Sequence, residues 1–152
     1  MIKKLFLISL LFLTTLSCGF KPIFINQSEY LIKINESVGD NKLNYFIKNE
    51  LNRYSNPGSN EIIDIKINSN YSKNSITKDL TGNTTEYQLE VAVKFEVTRN
   101  NKTSIIDLNE KINFKNTSNK FNLQTYEDNL IKNLIAMIVD NLIVKILENS
   151  DN

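Results

Sequence analysis

The sequence predicts an α+β fold, in which two helices pack on one face of a four-stranded, mostly antiparallel sheet, behind a cleaved lipoprotein signal peptide. Three observations support this prediction. A short apolar leader ends at Cys18, the only cysteine among the 152 residues. Apolar residues then change their spacing from the helical period to the two-residue period of strands. A long apolar helical pattern closes the chain and can cover the apolar side of the predicted sheet.

The leader has the order of a secretory signal. Lys3 and Lys4 precede a mainly apolar stretch over residues 5–13, and small polar residues follow it. That stretch is far shorter than the roughly 20 apolar residues that a membrane-spanning helix needs. We therefore predict a signal peptide over residues 1–17 and a single α+β domain over residues 18–152.

Cys18 directly follows this leader, which favours lipid attachment. One cysteine cannot form an internal disulfide, and a zinc site lacks ligands because the sequence has no histidine. Acylation of Cys18 would anchor the extended segment 18–29 in a membrane. Gly19, in place of aspartate, favours the outer membrane under bacterial sorting rules. Thr15 stands where a lipobox usually has leucine, so secretion without a lipid is the alternative.

The charge of the mature chain argues against nucleic-acid binding. Removal of residues 1–17 takes away two lysines and leaves 16 basic and 17 acidic side chains, a formal charge of −1. A general nucleic-acid binder would carry a clear basic excess. We expect no nucleic-acid partner.

The first part of the domain predicts a strand and a helix. Residues 30–34 (YLIKI) form the first strand, which we expect to end at residues 37–40 (SVGD). Asp40 is a favourable N-cap for the helix that follows. Apolar residues recur with helical spacing over residues 43–54, and the turn-forming residues 56–60 (NPGSN) end the helix. The helix then serves as a crossover between two parallel strands.

Alternation of apolar and polar residues predicts the rest of the sheet. Residues 63–67 define a short second strand, and we expect a polar loop after it. The clearest alternation runs over residues 86–97. A hairpin turn at residues 99–102 (RNNK) leads to a return strand over residues 106–114. Glu110 interrupts the apolar set of that strand, so we expect a bulge near it.

The final helix is expected over residues 125–148, with a length of roughly 36 Å. Thr125 and Asp128 match a capping box at its start, and residues 149–152 are expected to form a frayed tail. Together the helices cover the apolar side of the sheet and leave its polar side open. The candidate partner-facing residues on this polar side are Glu86, Gln88, Glu90, Lys94 and Glu96.

No catalytic site is expected. Without histidine, the usual general base and the partner of a nucleophilic serine are missing. The acidic pair Glu127–Asp128 has a structural interpretation in the opening turn of a helix, and the pair Glu86–Glu90 has one on the polar side of a strand. The sequence has neither a glycine-rich phosphate loop nor metal-ligand spacing. We predict a protein that is not an enzyme and has no cofactor and no metal.

Three stretches of the sequence resemble the lipopolysaccharide-assembly lipoprotein family LptE. CGFKPIF at residues 18–24 is similar to the family's C-G-[FW]-x-[PL] start, and residues 81–97 (TGNTTEYQLEVAVKFEV) resemble its G-x-T-x-E-Y-Q stretch. Residues 125–148 resemble its closing helix. The resemblance implies two helices on a four-stranded sheet. It also implies an outer-membrane lipoprotein on the periplasmic face that plugs the β-barrel translocon LptD and helps to deliver lipopolysaccharide to the outer leaflet.

The resemblance further implies contacts to lipopolysaccharide. The family's basic residues before the G-x-T-x-E-Y stretch and before the last helix correspond here to Leu80 and Leu123. The nearest basic residues are Lys78 and Lys120, which we expect in loops at one end of the sheet. Both are candidate contacts for lipid A phosphates. The alternative is that both lysines are simply solvated.

Two functions stay open on the sequence. The first is the barrel plug, whose polar sheet face suits the polar lumen of a barrel; that face could also simply contact water. The second is a lipid-anchored periplasmic carrier or adaptor without a barrel partner. A carrier needs an apolar cavity, whereas the last helix is expected to cover the sheet, which favours the plug.

Overall fold

The computed structural model describes residues 29–117 and 119–148. The elements in chain order are β1 (Tyr30–Gly39), α1 (Asn41–Asn52), β2 (Glu61–Lys78), β3 (Thr84–Arg99), β4 (Lys102–Lys115) and α2 (Lys120–Glu148). The strands lie in the order β1-β2-β3-β4. β1 is parallel to β2, and the other neighbours are antiparallel. The predicted fold class is confirmed, while the predicted signal peptide, residues 18–28 and the tail 149–152 lie outside the described residues.

The core fills the space between the sheet and the two helices. The strands contribute alternate apolar residues, and the helices contribute one apolar stripe each. The central buried side chains are Ile63, Ile65, Ile67, Leu89, Val91, Phe95, Leu43, Ile47, Leu51, Ile135, Ile138 and Leu142. Because only one face of each strand enters this core, the opposite face of the sheet is left without a covering layer in the described chain. Within the same ranges, no helix has the length and apolar content needed to cross a bilayer.

The passage from β1 to α1 requires a glycine and a cap. The carboxylate of Asp40 accepts the backbone N–H groups of Lys42 and Leu43, both at 2.9 Å, so the predicted N-cap is confirmed. Gly39 has a φ of +101°, and a Cβ there would lie 1.8 Å from the carbonyl oxygen of Ser69. β1 is longer than the predicted residues 30–34, because its pairing with β2 continues to Gly39, within the segment that was expected to end it.

β2 is much longer than its sequence pattern. It has 18 residues and reaches Lys78, whereas the sequence predicted a strand over residues 63–67 followed by a loop. The second half of β2 pairs with β3 as far as Thr84. Residues 74–78 are exposed on both faces. A strand segment that buries neither face has no reason to alternate apolar and polar residues, so periodicity could not reveal it.

β4 pairs with β3 without interruption. The register runs from Arg99–Lys102 to Glu86–Lys115 with no irregularity, so the expected bulge near Glu110 is wrong. Glu110 is tolerated on the helix side because its carboxylate accepts the amide N–H of Asn141 at 3.4 Å. The predicted hairpin turn is confirmed, since the loop residues Asn100 and Asn101 have φ values of 50° and 62°.

α2 begins five residues before its predicted start. The helix runs from Lys120 to Glu148, and the backbone N–H of Leu123 donates to the carbonyl of Asn119 at 3.0 Å. The capping-box prediction is therefore wrong, because Thr125 lies inside the helix. Asn119 precedes the first helical residue and belongs to the residue types favoured there.

The two helices run in the same direction and contact each other at a constant spacing. Lys42 forms an ion pair with Asp128, and the hydroxyl of Tyr54 donates to Asp140; both pairs are 86 residues apart in sequence. Between them, the ammonium of Lys132 lies 5.2 Å from the centre of the Phe46 ring. These contacts fix the lengthwise position of α2 relative to α1.

Candidate partner-binding surface

The open face is the side of the sheet that points away from the helices. Along β3 the core residues Tyr87 to Val97 alternate with the predicted partner-facing residues. The structure therefore brings all five of these residues into one row on the open face: Glu86, Gln88, Glu90, Lys94 and Glu96. The neighbouring strands β2 and β4 extend this row into a broad surface that is mainly polar.

Charges of both signs alternate across the open face and pair locally. Lys66 Nζ lies 2.8 Å from a carboxylate oxygen of Glu96, and this hydrogen bond and charge raise the pKa of Lys66. Lys111 Nζ lies 3.8 Å from Glu90. Lys94 is exposed in the same row. Such a surface can form hydrogen bonds and salt bridges with a polar wall, and it has no strong net charge of one sign.

The centre of the open face is a shallow depression. Ala92 forms its floor, because its small side chain stands between longer polar residues of the neighbouring strands. The side chains around it are Asn68, Asn70, Lys94, Asp107 and Asn109. The depression is open to solvent and carries amide and charged groups around Ala92, so it offers hydrogen bonds to a partner but no enclosed space for a lipid chain.

A hydrogen-bonded loop closes the β2–β3 hairpin at residues 79–83, here called the hairpin tip. The carboxylate of Asp79 accepts the backbone N–H groups of Thr81 and Asn83 at 2.9 Å and the Thr81 hydroxyl at 2.7 Å. These hydrogen bonds, led by that of the Thr81 side chain, lower the pKa of Asp79. Gly82 supplies the positive φ of the turn, +86°. The loop holds Leu80 fully exposed to solvent.

Lys78 and Lys120 lie near the hairpin tip, but not in loops. Lys78 is the last residue of β2 and is exposed, and Lys120 is the first residue of α2. The expectation that both lie in loops is wrong. Because β2 and β4 both end at this side of the sheet and α2 starts there, the topology places both backbones at the same end. Sequence reasoning missed Lys115, the exposed last residue of β4, which pairs in register with Glu86.

A half-buried ionic cluster attaches α2 to the second half of β2. Glu127 forms an ion pair with Lys73 and accepts the hydroxyl of Tyr71. Burial, followed by this hydrogen bond, raises the pKa of Tyr71. The Lys73 ammonium also lies 4.5 Å from the centre of the Tyr87 ring and 5.5 Å from that of Phe114.

This ionic cluster corrects the interpretation of the Glu127–Asp128 pair. Because α2 starts at Lys120, neither carboxylate lies in the opening turn, and each has a cation from another element instead. Sequence reasoning missed Tyr71 and Lys73. They are 56 and 54 positions away from Glu127 in the sequence, and a contact over such a distance leaves no periodic signal.

Cys18, the predicted lipidation site, lies outside the described residues, so its role stays a prediction. Among the residues that the structure does describe, no three histidine, cysteine, aspartate or glutamate side chains are grouped so that they could hold a metal ion.

Two solved structures share the fold of this chain. Rare lipoprotein B from Shewanella oneidensis superposes with a TM-score of 0.54 and 12% identity, covering 76% of this chain and 99% of that one. A minor lipoprotein from Acinetobacter baumannii superposes with a TM-score of 0.53 and 16% identity, covering 81% of this chain and 95% of that one. At such low identity, these likenesses establish the fold alone.

The sequence comparison identifies the family. Residues 27–146 match the family described as Lipopolysaccharide-assembly, LptE. No curated protein matches the chain significantly. The family match spans most of the 152 residues, including every strand and nearly all of α2. The chain therefore belongs to the lipopolysaccharide-assembly family LptE.

Proposed function

We propose that this chain is a lipid-anchored outer-membrane lipoprotein that plugs the β-barrel translocon LptD from the periplasmic side and supports its assembly. Its family membership implies a role in lipopolysaccharide assembly. Within that role, we propose that the chain helps a barrel partner to deliver lipopolysaccharide to the outer leaflet. The open face would contact the wall of the barrel lumen.

The observation that carries this proposal is the asymmetry of the sheet. One face is fully occupied by the helices and the core, while the other presents a polar surface with charges of both signs. Barrel lumens are polar, so the open face can enter one and exchange hydrogen bonds with water for hydrogen bonds with protein. A surface that was already apolar would be mismatched to such a wall.

A lipid carrier fits the structure less well. Carrying an acyl chain requires an apolar pocket that shields most of the ligand. The depression on the open face is shallow and open to solvent, so it does not shield a ligand. The space between sheet and helices is filled by side chains such as Phe95 and Ile138, which have no solvent-exposed surface.

We retain Lys78 and Lys120 as candidate contacts for the phosphates of lipid A. Lysine can pair with phosphate as a point charge, and both residues belong to the end of the sheet that carries the hairpin tip. Replacing both by alanine should weaken the binding of purified lipopolysaccharide and leave barrel capture unchanged. Equal binding by the double variant and the unmodified chain would remove both lysines from the proposal.

The test is site-specific photo-cross-linking in outer membranes. A photoreactive amino acid replaces Lys94, which is exposed on the open face, or Lys48, which is exposed on α1 on the opposite side of the molecule. Because both positions are exposed lysines, they form a matched pair. The expected result is a cross-link to one large β-barrel protein from position 94 and little or none from position 48.

Two other outcomes would count against the proposal. A cross-link to the barrel from position 48 alone would show that the helix layer faces the barrel wall and that the open face does not. If neither position captured a barrel protein while the chain stayed folded in the outer membrane, the plug function would fail and the carrier function would gain.

A further inference from the structure

β4 is a long and regular sheet edge, protected only by charged side chains such as Lys102, Lys111 and Glu110. It pairs with β3 only, so within the described residues its outer backbone groups have no strand partner. Its 14 residues contain no glycine, no proline and no bulge. The opposite edge, β1, has 10 residues and an irregularity between Ile34 and Glu36. Edges as long and regular as β4 are ready to pair with another strand, and proteins commonly shorten, bend or cover them.

An apolar strip on α2 runs beside the middle of this edge. The hydrogen bond between Asn141 and Glu110 places that part of α2 level with the centre of β4. Met137 and Val144 lie four residues before and three residues after Asn141, and therefore on the same side of the helix. They are 49% and 46% exposed. If the strand of another molecule paired with β4, the layer packed on that strand would cover Met137 and Val144.

We propose that two copies of the chain, when free of other partners, pair through β4. The two β4 strands run antiparallel about a two-fold axis at Asn109 and form a continuous eight-stranded sheet. An axis perpendicular to the sheet keeps both helix layers on the same side, so that the two α2 helices lie next to each other. Met137 of one copy then faces Val144 of the second copy, and the same contact repeats across the axis.

Charge complementarity selects this register. With Asn109 on the axis, Asp107 lies opposite Lys111 of the second copy, and the symmetry forms this ion pair twice. The same register sets Ile106 opposite Ile112 on the core side. Opposite charges and apolar pairs at facing positions stabilise strand pairing.

The two neighbouring registers are less favourable. With Leu108 on the axis, Lys111 would lie opposite Ile105 and Asp107 opposite Asn109, so both ion pairs would be lost. With Glu110 on the axis, its carboxylate would lie directly opposite that of Glu110 in the second copy, and like charges at facing positions are destabilising.

Disulfide trapping tests the register directly. In the full chain carrying Cys18→Ser, so that no other thiol is present, we substitute Asn109→Cys on the axis or Lys33→Cys on the β1 edge. Facing positions of an antiparallel pair lie about 4.5–5.5 Å apart between Cα atoms, within disulfide reach. The expected result is a disulfide-linked dimer for Asn109→Cys after mild oxidation and no dimer for Lys33→Cys.

Charge reversal separates the interface from folding. Lys111→Asp would replace two attractive pairs with two repulsive ones and should raise the dissociation constant of the dimer by about tenfold to a hundredfold. Adding Asp107→Lys in the same chain should restore the affinity. Lys115→Asp is the matched control, because Lys115 faces Thr103 of the second copy and its reversal should change little.

Sedimentation of the unmodified lipid-free chain over a range of concentrations gives the decisive result. A purely monomeric chain, or trapping at residue 33 rather than at residue 109, would overturn the proposal. A dimer that Lys111→Asp leaves intact would overturn the register. These outcomes do not depend on LptD, so the dimer and the barrel plug can fail separately.

Discussion

At the scale of single residues, Gly39 is the most restricted of the described glycines. It joins β1 to α1 with a positive φ, and the backbone of Ser69 passes directly beside its Cα atom. Two separate restrictions therefore act on this glycine: the left-handed backbone, which disfavours any side chain, and the lack of space for a Cβ atom.

Gly39→Ala should lower the free energy of unfolding by about 3 kcal/mol or more, because β1 or β2 must move to admit the new methyl group. Gly82→Ala is the matched control. Gly82 also has a positive φ, but no atom lies within 4 Å of the position of its Cβ. Its substitution should cost only about 1 kcal/mol, the backbone contribution alone. Equal losses in urea denaturation would show that the close approach to Ser69 is relieved at little cost.

At the scale of elements, α2 is held by two neighbouring carboxylates in different environments. The side chains of Glu127 and Lys73 are 15% and 27% exposed, whereas those of Asp128 and Lys42 are 33% and 45% exposed. A charge pair that is partly withdrawn from water loses more when one partner is removed, because the remaining charge is left without compensation.

Glu127→Gln should therefore lower the free energy of unfolding by about 1–3 kcal/mol. Asp128→Asn, the same change one residue later, should cost less than about 1 kcal/mol, since exposed ion pairs contribute little. Denaturant titration of both variants checks the difference. A larger loss of stability for Asp128→Asn would mean that the contact of α2 with Lys42 on α1 stabilises the fold more than its contact with Lys73 on β2.

The contact between Tyr54 and Asp140, which joins the two helices, also makes the stability of the fold decrease at alkaline pH. Burial, with the hydrogen bond to Asp140 next in size, raises the pKa of Tyr54 from its usual value of 10.0 to about 12. A raised pKa means that the folded state holds the proton more tightly. This contribution is complete below pH 10 and is lost as the pH rises towards 12.

Tyr54→Phe removes this titrating group. Between pH 10 and pH 12 the variant should lose less stability than the unmodified chain, with Tyr71 contributing the same background in both. Thermal unfolding at a series of pH values measures how the stability of each chain changes with pH. Equal changes in the two chains would mean that folding does not raise the pKa of the Tyr54 hydroxyl.

The elements also show which features a sequence pattern can predict. α1 and β3 were predicted closely because each buries one face in the core and so carries the matching period. Residues 74–78 of β2 are exposed on both faces and lie where the sequence predicts a loop; only their backbone pairing with β3 defines them as strand. Glu110 interrupts the apolar alternation and so favours a bulge, but it stays in a regular strand, where its carboxylate accepts a hydrogen bond from Asn141.

The candidate site follows the same logic. The five partner-facing residues of β3 could be assigned to one face because alternation fixes which side chains share a side. The cluster of Tyr71, Lys73 and Glu127 could not be predicted, since its members belong to elements whose relative placement is decided by packing of the whole core.

At the scale of the whole molecule, Tyr30 and the hairpin tip lie at opposite ends of the sheet. The chain enters the described domain at Tyr30, in register with Glu61 at the start of β2. The hairpin tip follows the other end of β2. A segment that carried a lipid on Cys18 would therefore join the described domain at the end far from Leu80.

Cys18→Ser should abolish acylation and release the chain from the membrane into the soluble fraction. The measurement is the distribution of the chain between membrane and supernatant after a carbonate wash. Retention of the variant in the membrane would show that a second attachment exists, such as the proposed contact with the barrel. Conversion of the neighbouring residue, Ser17→Ala, is the control, since it keeps a small side chain before the cysteine and should leave the chain in the membrane.

The length of β2 sets how far the hairpin tip lies from the end of the domain at which the predicted anchor segment joins it. Its 18 residues, at about 3.3 Å each, span roughly 60 Å. The hydrocarbon core of a bilayer is about 30 Å thick. A domain held at Tyr30 can therefore carry Leu80 across twice that thickness, so a protein fixed to one leaflet would have an arm long enough to work at the opposite surface of the same membrane.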